Sequence, residues 1–186
     1  MIPPIDVDGL RFAFDGTWRA LKWDEHDAYR GGLSSHGGTK AIDIIALRHG
    51  DELWLIEGSS IRDNGLRTRG ARIHFNNKRA VKRETLDQEF ARKIRDTLAA
   101  AMWVQERHPA ATGLVPYLRA GVRGDPGKIH AVLWCEGLEE PELLAMEDRV
   151  RGSLRWLNPR VKILNADICK RHPRRQLPGI TVSNLP

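Results

Sequence analysis

The sequence predicts an α/β domain built on a mixed β-sheet, and three observations predict it. Two apolar, β-branched runs, Lys40 to Leu47 and Leu53 to Glu57, flank a short turn. A long helix-period segment opens at Thr85. Strand, helix and strand patterns then alternate toward the C-terminus, the order of an α/β core.

Each element follows from local chemistry. Up to about Arg30, aromatics (Phe12, Phe14, Trp18, Trp23, Tyr29) alternate with charges, which suits a short strand followed by a helical turn. Residues 31–38 hold four glycines in eight and read as an exposed loop, because glycine loses the most backbone freedom in a regular element. The two apolar runs form a β-hairpin, with Arg48-His49-Gly50-Asp51-Glu52 as its turn. From Ile61 to Lys82 the chain is polar and basic, with one short strand candidate at Ala71 to Phe75.

Thr85 caps the long helix and Gln88, three residues on, supplies the return partner of a capping box. Leu86, Phe90, Ile94, Leu98, Ala101, Met102 and Gln105 fall near one face, and His108-Pro109 ends the helix near Arg107. Lys128 to Cys135 reads as a strand, Pro141 to about Leu157 as a helix stopped by Asn158-Pro159, and Arg160 to Leu164 as a strand. A last short strand is expected near Gly179 to Val182. Leu133, Trp134 and Trp156 read as core. Cys169 reads as lying near a strand end.

At 186 residues, with 41% hydrophobic and 29% charged residues and no internal repeat or long linker, one domain spanning 1–186 is expected. No stretch approaches the roughly 20 apolar residues of a membrane span. The opening residues lack the charged and apolar regions of a secretory signal, so the cytoplasm is the expected address. Two cysteines in such a setting are expected as reduced thiols, and Cys169 with His172 cannot complete a four-ligand zinc site.

The hairpin carries the candidate chemistry. If its turn centres on Gly50, facing residues have numbers summing to about 100, which sets Asp43 opposite Glu57 with Cβ atoms about 4.5–5.5 Å apart. Two carboxylates so placed repel unless a positive group lies between them, and Mg²⁺ typically takes one or two carboxylates plus waters and phosphate oxygens. Asp43 also interrupts the apolar run Ala41-Ile42-Asp43-Ile44-Ile45, where an acid is costly. The same pair equally suits the solvent edge of a half-exposed hairpin, matched by Arg or Lys.

The run Lys-Ala-Ile-Asp-Ile-Ile-Ala-Leu, a turn, and Leu-Trp-Leu-Ile-Glu-Gly-Ser resembles the active-site hairpin of the PD-(D/E)XK nuclease superfamily. There an Asp on one strand is followed by Glu-X-Lys on the next. Asp43 matches the Asp and Glu57 the Glu. Lys93-Ile-Arg-Asp-Thr-Leu98 is similar to a helical Lys-Val-Arg-Asp-Thr-Leu run of bacterial members, so the likeness covers roughly Trp23 to Ala101. The resemblance implies a restriction-endonuclease-like mixed β-sheet flanked by helices. It also implies a Mg²⁺ or Mn²⁺ site on Asp43 and Glu57, metal-dependent phosphodiester hydrolysis, and a role among restriction, antiviral defence or DNA-processing components. An upstream acid often adds a third metal ligand in relatives, and Glu25 in Trp23-Asp24-Glu25-His26 is the candidate. Asp24 reads as an acid favoured near a helix N-terminus.

Ser59 departs from the pattern, standing where the family lysine belongs. A neutral, short hydroxyl cannot take over a lysine's charge. Three readings remain: a degenerate nuclease that binds DNA without cutting; an enzyme whose cation has migrated, with Lys40, Arg62 and Lys93 the candidates; or a substituted residue or mistaken likeness. Gln88 and Lys93 on the long helix face either the cleft or solvent. His26, His36 and His49 read as loop residues.

The formal charge is +6, but residues 62–95 hold eleven Lys/Arg against four acids, a net +7, leaving the rest near neutral. Arg62, Arg67, Arg69, Arg72, Lys78, Arg79, Lys82 and Arg83 are the expected nucleic-acid contacts, since clustered cations release counterions from phosphate backbones. A second cluster, Lys170-Arg171-His172-Pro173-Arg174-Arg175, contains no acid. DNA is the expected partner. A non-catalytic subunit docking an acidic protein, alone, as a homodimer or within a larger complex, is the rival.

Overall fold

The computed structural model describes residues 2–31, 39–60, 84–107, 117 and 128–185. Within them the chain forms an α/β fold of eight strands in two sheets.

The first sheet joins the two ends of the chain. Strands β1 (Ile5–Val7) and β2 (Leu10–Phe14) form a hairpin across Asp8 and Gly9, both at positive φ (45° and 78°). Asp-Gly is the pairing that a two-residue hairpin turn demands. The last strand, β8 (Ile180–Asn184), lies antiparallel to β2, with Phe12 opposite Val182. The second sheet has the order β3-β4-β5-β6-β7: β3 (Trp18–Lys22), β4 (Ile44–Arg48) and β5 (Glu52–Ser60) are antiparallel, while β6 (Ile129–Glu136) and β7 (Arg160–Leu164) run parallel to β5. The small sheet packs on one face of the large one at Gly58. A Cβ there would lie 3.1 Å from Val7 Cγ1 and 3.3 Å from Phe12, so only glycine fits without displacing the small sheet.

Four helices complete the described fold: α1 (Asp27–Arg30), α2 (Leu86–Arg107), α3 (Glu140–Ser153) and α4 (Ala166–Arg171). Helix α2 begins after Thr85, whose backbone N–H is taken by Gln88 Oε1 at 3.2 Å, half of the expected capping box. It buries Phe90, Ala91, Ile94, Ala101 and Val104. Its axis is tied to α3 by Arg149 on Asp87 at 3.0 Å. At the outer edge of the sheet, no further strand among the described residues pairs with β7 beside Ile163. The Ile163 N–H donates to buried Glu147 of α3 at 3.2 Å, and its carbonyl accepts from Arg175, which also pairs with Glu147.

Several sequence expectations need correction. The opening residues form three strands before a single helical turn, because the Asp8-Gly9 turn doubles the first strand back. The helix expected to Leu157 ends at Ser153 and continues only as turns. Cys169 lies on α4 rather than at a strand end. Met102 is 53% exposed, since Ala101 and Val104 take the inward positions, and Trp156 is 64% exposed rather than core. Both cysteines are free and buried. Among the described residues no helix is long and apolar enough to cross a membrane. The strand candidate at 71–75, most of the glycine-rich loop and His36 lie outside the described residues.

Candidate functional site

Asp43 sits where β3 and β4 part, one residue before the ladder of β4 begins. The β4–β5 register is Ile44 with Ile56 and Ala46 with Trp54, so facing residues sum to 100 and Asp43 falls opposite Glu57. The backbone around Asp43 is pinned. Trp23 N–H donates to its carbonyl at 2.7 Å, and Gly58 N–H donates to its Oδ2 at 2.9 Å. Both carboxyls are buried, Asp43 8% and Glu57 7% exposed.

A cation meets them from the helix. Lys93, in the third turn of α2, donates to Glu57 Oε1. Its side chain is mostly buried, so this ion pair is not an open surface contact. Ser59 follows Glu57 by two positions on β5, hence on the same face of the strand, and it too is buried. The position that would carry a lysine in a Glu-X-Lys strand is therefore neutral here, while an ammonium reaches the same carboxylate from the neighbouring helix.

Electrostatics follow from burial. Loss of water pushes Asp43 up to about 6, against the pull of Lys93 and of the Gly58 N–H. Burial, then the Asp43 charge, raises Glu57 well above the usual carboxylate range. Burial by itself would lower Lys93, but Glu57 and Asp43 outweigh it and the net direction is up. The Asp43 charge acts on Glu57 across the strand pair, and like charges so buried favour a proton or a cation between them. Burial of the two acids thus favours proton uptake, and Lys93 opposes it.

The donor set suits a hard divalent ion. Among the described residues, Glu57 Oε2 is buried without a hydrogen-bond partner, and so is Oδ1 of Asp24, whose charge also acts on Asp43. Among the described residues no group of three or more His, Cys, Asp or Glu is gathered closely enough to hold a metal. Carboxylate oxygens are donors of the kind Mg²⁺ takes, whereas a closed zinc cage needs four ligands.

The other sequence candidates divide clearly. Glu25 is half exposed and pairs with Lys22 at 2.8 Å, so the structure does not bring it to the carboxylate pair. Its neighbour Asp24, half buried with its pKa raised first by burial, is the upstream acid that senses the site. Lys40 is engaged by Glu89 at 2.6 Å. Gln88 is exposed at the helix start. His26 caps α1, its Nδ1 accepting from Ala28 N–H at 3.2 Å. Arg62, Arg67, Arg69, Arg72, Lys78, Arg79, Lys82 and Arg83 lie outside the described residues. Sequence reasoning gave no role to Asp96 and Thr97. The available signal was the polar spacing 93, 96, 97 on a helix whose other inward positions are apolar.

No protein-family model, curated protein or solved structure matches this chain.

Proposed function

We propose that Asp43, Glu57 and Lys93 form the active site of a metal-dependent phosphodiesterase acting on DNA. In this reading Lys93, carried on α2, supplies the charge that Ser59 lacks. The observation that carries it is the buried contact of Lys93 with Glu57, opposite Asp43. A buried acid pair with one lysine is costly for stability alone, since apolar residues of similar size would do at least as well. Grouped perturbed carboxyls are where catalytic work is commonly done.

Asp43 and Glu57 would hold Mg²⁺ or Mn²⁺. The bound ion supplies a polarised phosphate oxygen and an acidic water, the chemistry of hydrolytic metal sites. Lys93 places a fixed positive charge beside Glu57, where it offsets negative charge building on the phosphate. Gly58 N–H keeps one oxygen of Asp43 aimed along the strand. The basic stretch at 62–83 is the expected track for the DNA backbone, as neutralised phosphates favour binding. A cytoplasmic setting, where both cysteines stay reduced, belongs to the same reading.

The test is nicking of supercoiled plasmid with Mg²⁺ or Mn²⁺. The parent protein is expected to cut, and Asp43→Asn and Lys93→Met to lose about 100-fold or more. If the parent is inert and Ser59→Lys cuts, the protein is a degenerate nuclease whose role is binding. If no variant cuts and none binds duplex DNA, the proposal fails and docking on an acidic protein is the better account.

A further inference from the structure

The polar residues of Lys93-Ile94-Arg95-Asp96-Thr97-Leu98 do more than present a lysine. Positions 93, 96 and 97 share one side of a helix. Lys93 reaches Glu57. Asp96 Oδ2 accepts from the Lys40 backbone N–H at 3.0 Å, and Thr97 Oγ1 accepts from the Ile42 backbone N–H at 2.9 Å. Thr97 is completely buried. Threonine is a poor interior helix residue, and its hydroxyl accepts here from the distant segment that leads into β4.

What these bonds hold is the entry to Asp43. Residues 39–43 precede the β4 ladder, so a neighbouring strand does not hold them by regular pairing. Side chains and one backbone N–H hold them instead: Tyr29 hydroxyl donates to the Thr39 carbonyl at 3.1 Å, Asp96 and Thr97 take the two N–H groups, and Trp23 N–H takes the Asp43 carbonyl. Thr97 fixes the backbone N–H of Ile42, the residue directly before Asp43. Lys93, one turn earlier on the same helix, fixes the carboxylate opposite.

Resting on the active-site reading above, we infer that Thr97 and Asp96 are positioning residues that set where the Asp43 carboxylate stands relative to Glu57 and Lys93. One turn of α2 thereby delivers both the cation and the geometry of the acid it works with. Outer-shell partners of metal ligands typically matter 10–100-fold in metal affinity or rate, and a displacement near 1 Å can cost about 100-fold in rate.

The experiment compares parent, Thr97→Val, Thr97→Ser and Asp43→Asn in Mn²⁺ titrations of the protein alone, followed by electron paramagnetic resonance. Plasmid-nicking kcat and KM are measured alongside, below each variant's melting temperature. Valine keeps the shape and removes the acceptor; serine restores it. Thr97→Val is expected to weaken Mn²⁺ binding and lower kcat by about 10-fold or more, with KM for plasmid within about twofold and Thr97→Ser close to parent. A role in packing alone would leave the Mn²⁺ affinity of the folded variant unmoved. If Thr97→Val does not fold, Asp96→Ala against Asp96→Asn makes the same comparison at a half-buried position, since asparagine keeps a side-chain oxygen. Parent-like Mn²⁺ binding and kcat in the folded acceptor-free variant, with Asp43→Asn losing both, overturns the inference alone. Mn²⁺ binding unaffected by Asp43→Asn overturns the metal-site reading and the inference with it.

Discussion

The two ends of the five-stranded sheet bury titratable groups in opposite ways. At the end where β5 and β6 finish, Asp43 and Glu57 are buried beside Lys93 and a backbone N–H, on the face that α2 reaches. Toward the start of β5 and β6, on the other face, His130 lies opposite Trp54 and stacks on it with ring centroids 3.9 Å apart and planes within 1°. His130 is 6% exposed, and neither of its ring nitrogens has a hydrogen-bond partner among the described residues. Burial is the leading cause in both places and favours the neutral form. It pushes Asp43 up to about 6 and His130 down to about 4. The difference is the partner. An ammonium faces the acids, whereas around the imidazole Glu52 favours protonation and Arg160, Lys162 and Arg48 oppose it.

The sharpest way to break this contrast is to remove the partner. Lys93→Met leaves a buried negative charge unmatched, and breaking such a pair costs about 3–5 kcal/mol. Metal-free protein in urea should lose about that at pH 8 and much less near pH 5, where the acids take up protons. An equal loss at both pH values would show that Lys93 is not their counter-ion.

A gentler test uses the opposite signs. The Asp43 pKa is raised, so the metal-free folded state binds the extra proton and this group's contribution to stability grows as pH falls from about 6 toward 4. The His130 pKa is depressed, so its contribution is lost as pH falls from 6.5 through about 4. Each amounts to roughly 3 kcal/mol, the two oppose each other in the parent, and Glu57, raised in the same direction as Asp43, adds to the acid side. His130→Phe keeps a ring against Trp54 and removes one side of the balance. Its stability should therefore rise on acidification over that window, with denaturant titrations at pH 4, 5 and 6 as the check. A flat profile in the variant would remove the acid pair from the account.

The smallest effect belongs to Glu25. Its exposed pair with Lys22 is of the kind that contributes little. Glu25→Gln should leave the melting temperature within error and Mn²⁺ affinity within about twofold. A large loss of Mn²⁺ binding would restore Glu25 as a metal ligand.

The hairpin was legible because strand periodicity is strict. A turn at Gly50 fixes the pairing, and Asp43 opposite Glu57 follows by counting. Helix α2 was legible from its capping pair and apolar spacing. What escaped was non-local. Nothing near Lys93 distinguishes a lysine aimed at Glu57 from one in solvent, because the angle at which α2 crosses the sheet decides it. Asp24 and Glu25 are adjacent acids, and only the end point of β3 turns one toward the site. The small sheet joins residues about 170 apart, a pairing that no local pattern announces.

The Glu147–Arg175 pair on Ile163 has a consequence for association. An exposed sheet margin invites another chain to add a strand, and proteins must block or cover such margins. Beside Ile163 the backbone groups facing outward are already occupied by two side chains that neutralise each other. An incoming strand would have to dislodge both and leave Glu147 buried beside Arg151 alone. Growth of the sheet into fibres, or into a continuous sheet between two molecules, is thus disfavoured through β7. The opposite margin, β3, carries Arg19 and Lys22, whose charges discourage the same event by repulsion rather than by occupancy.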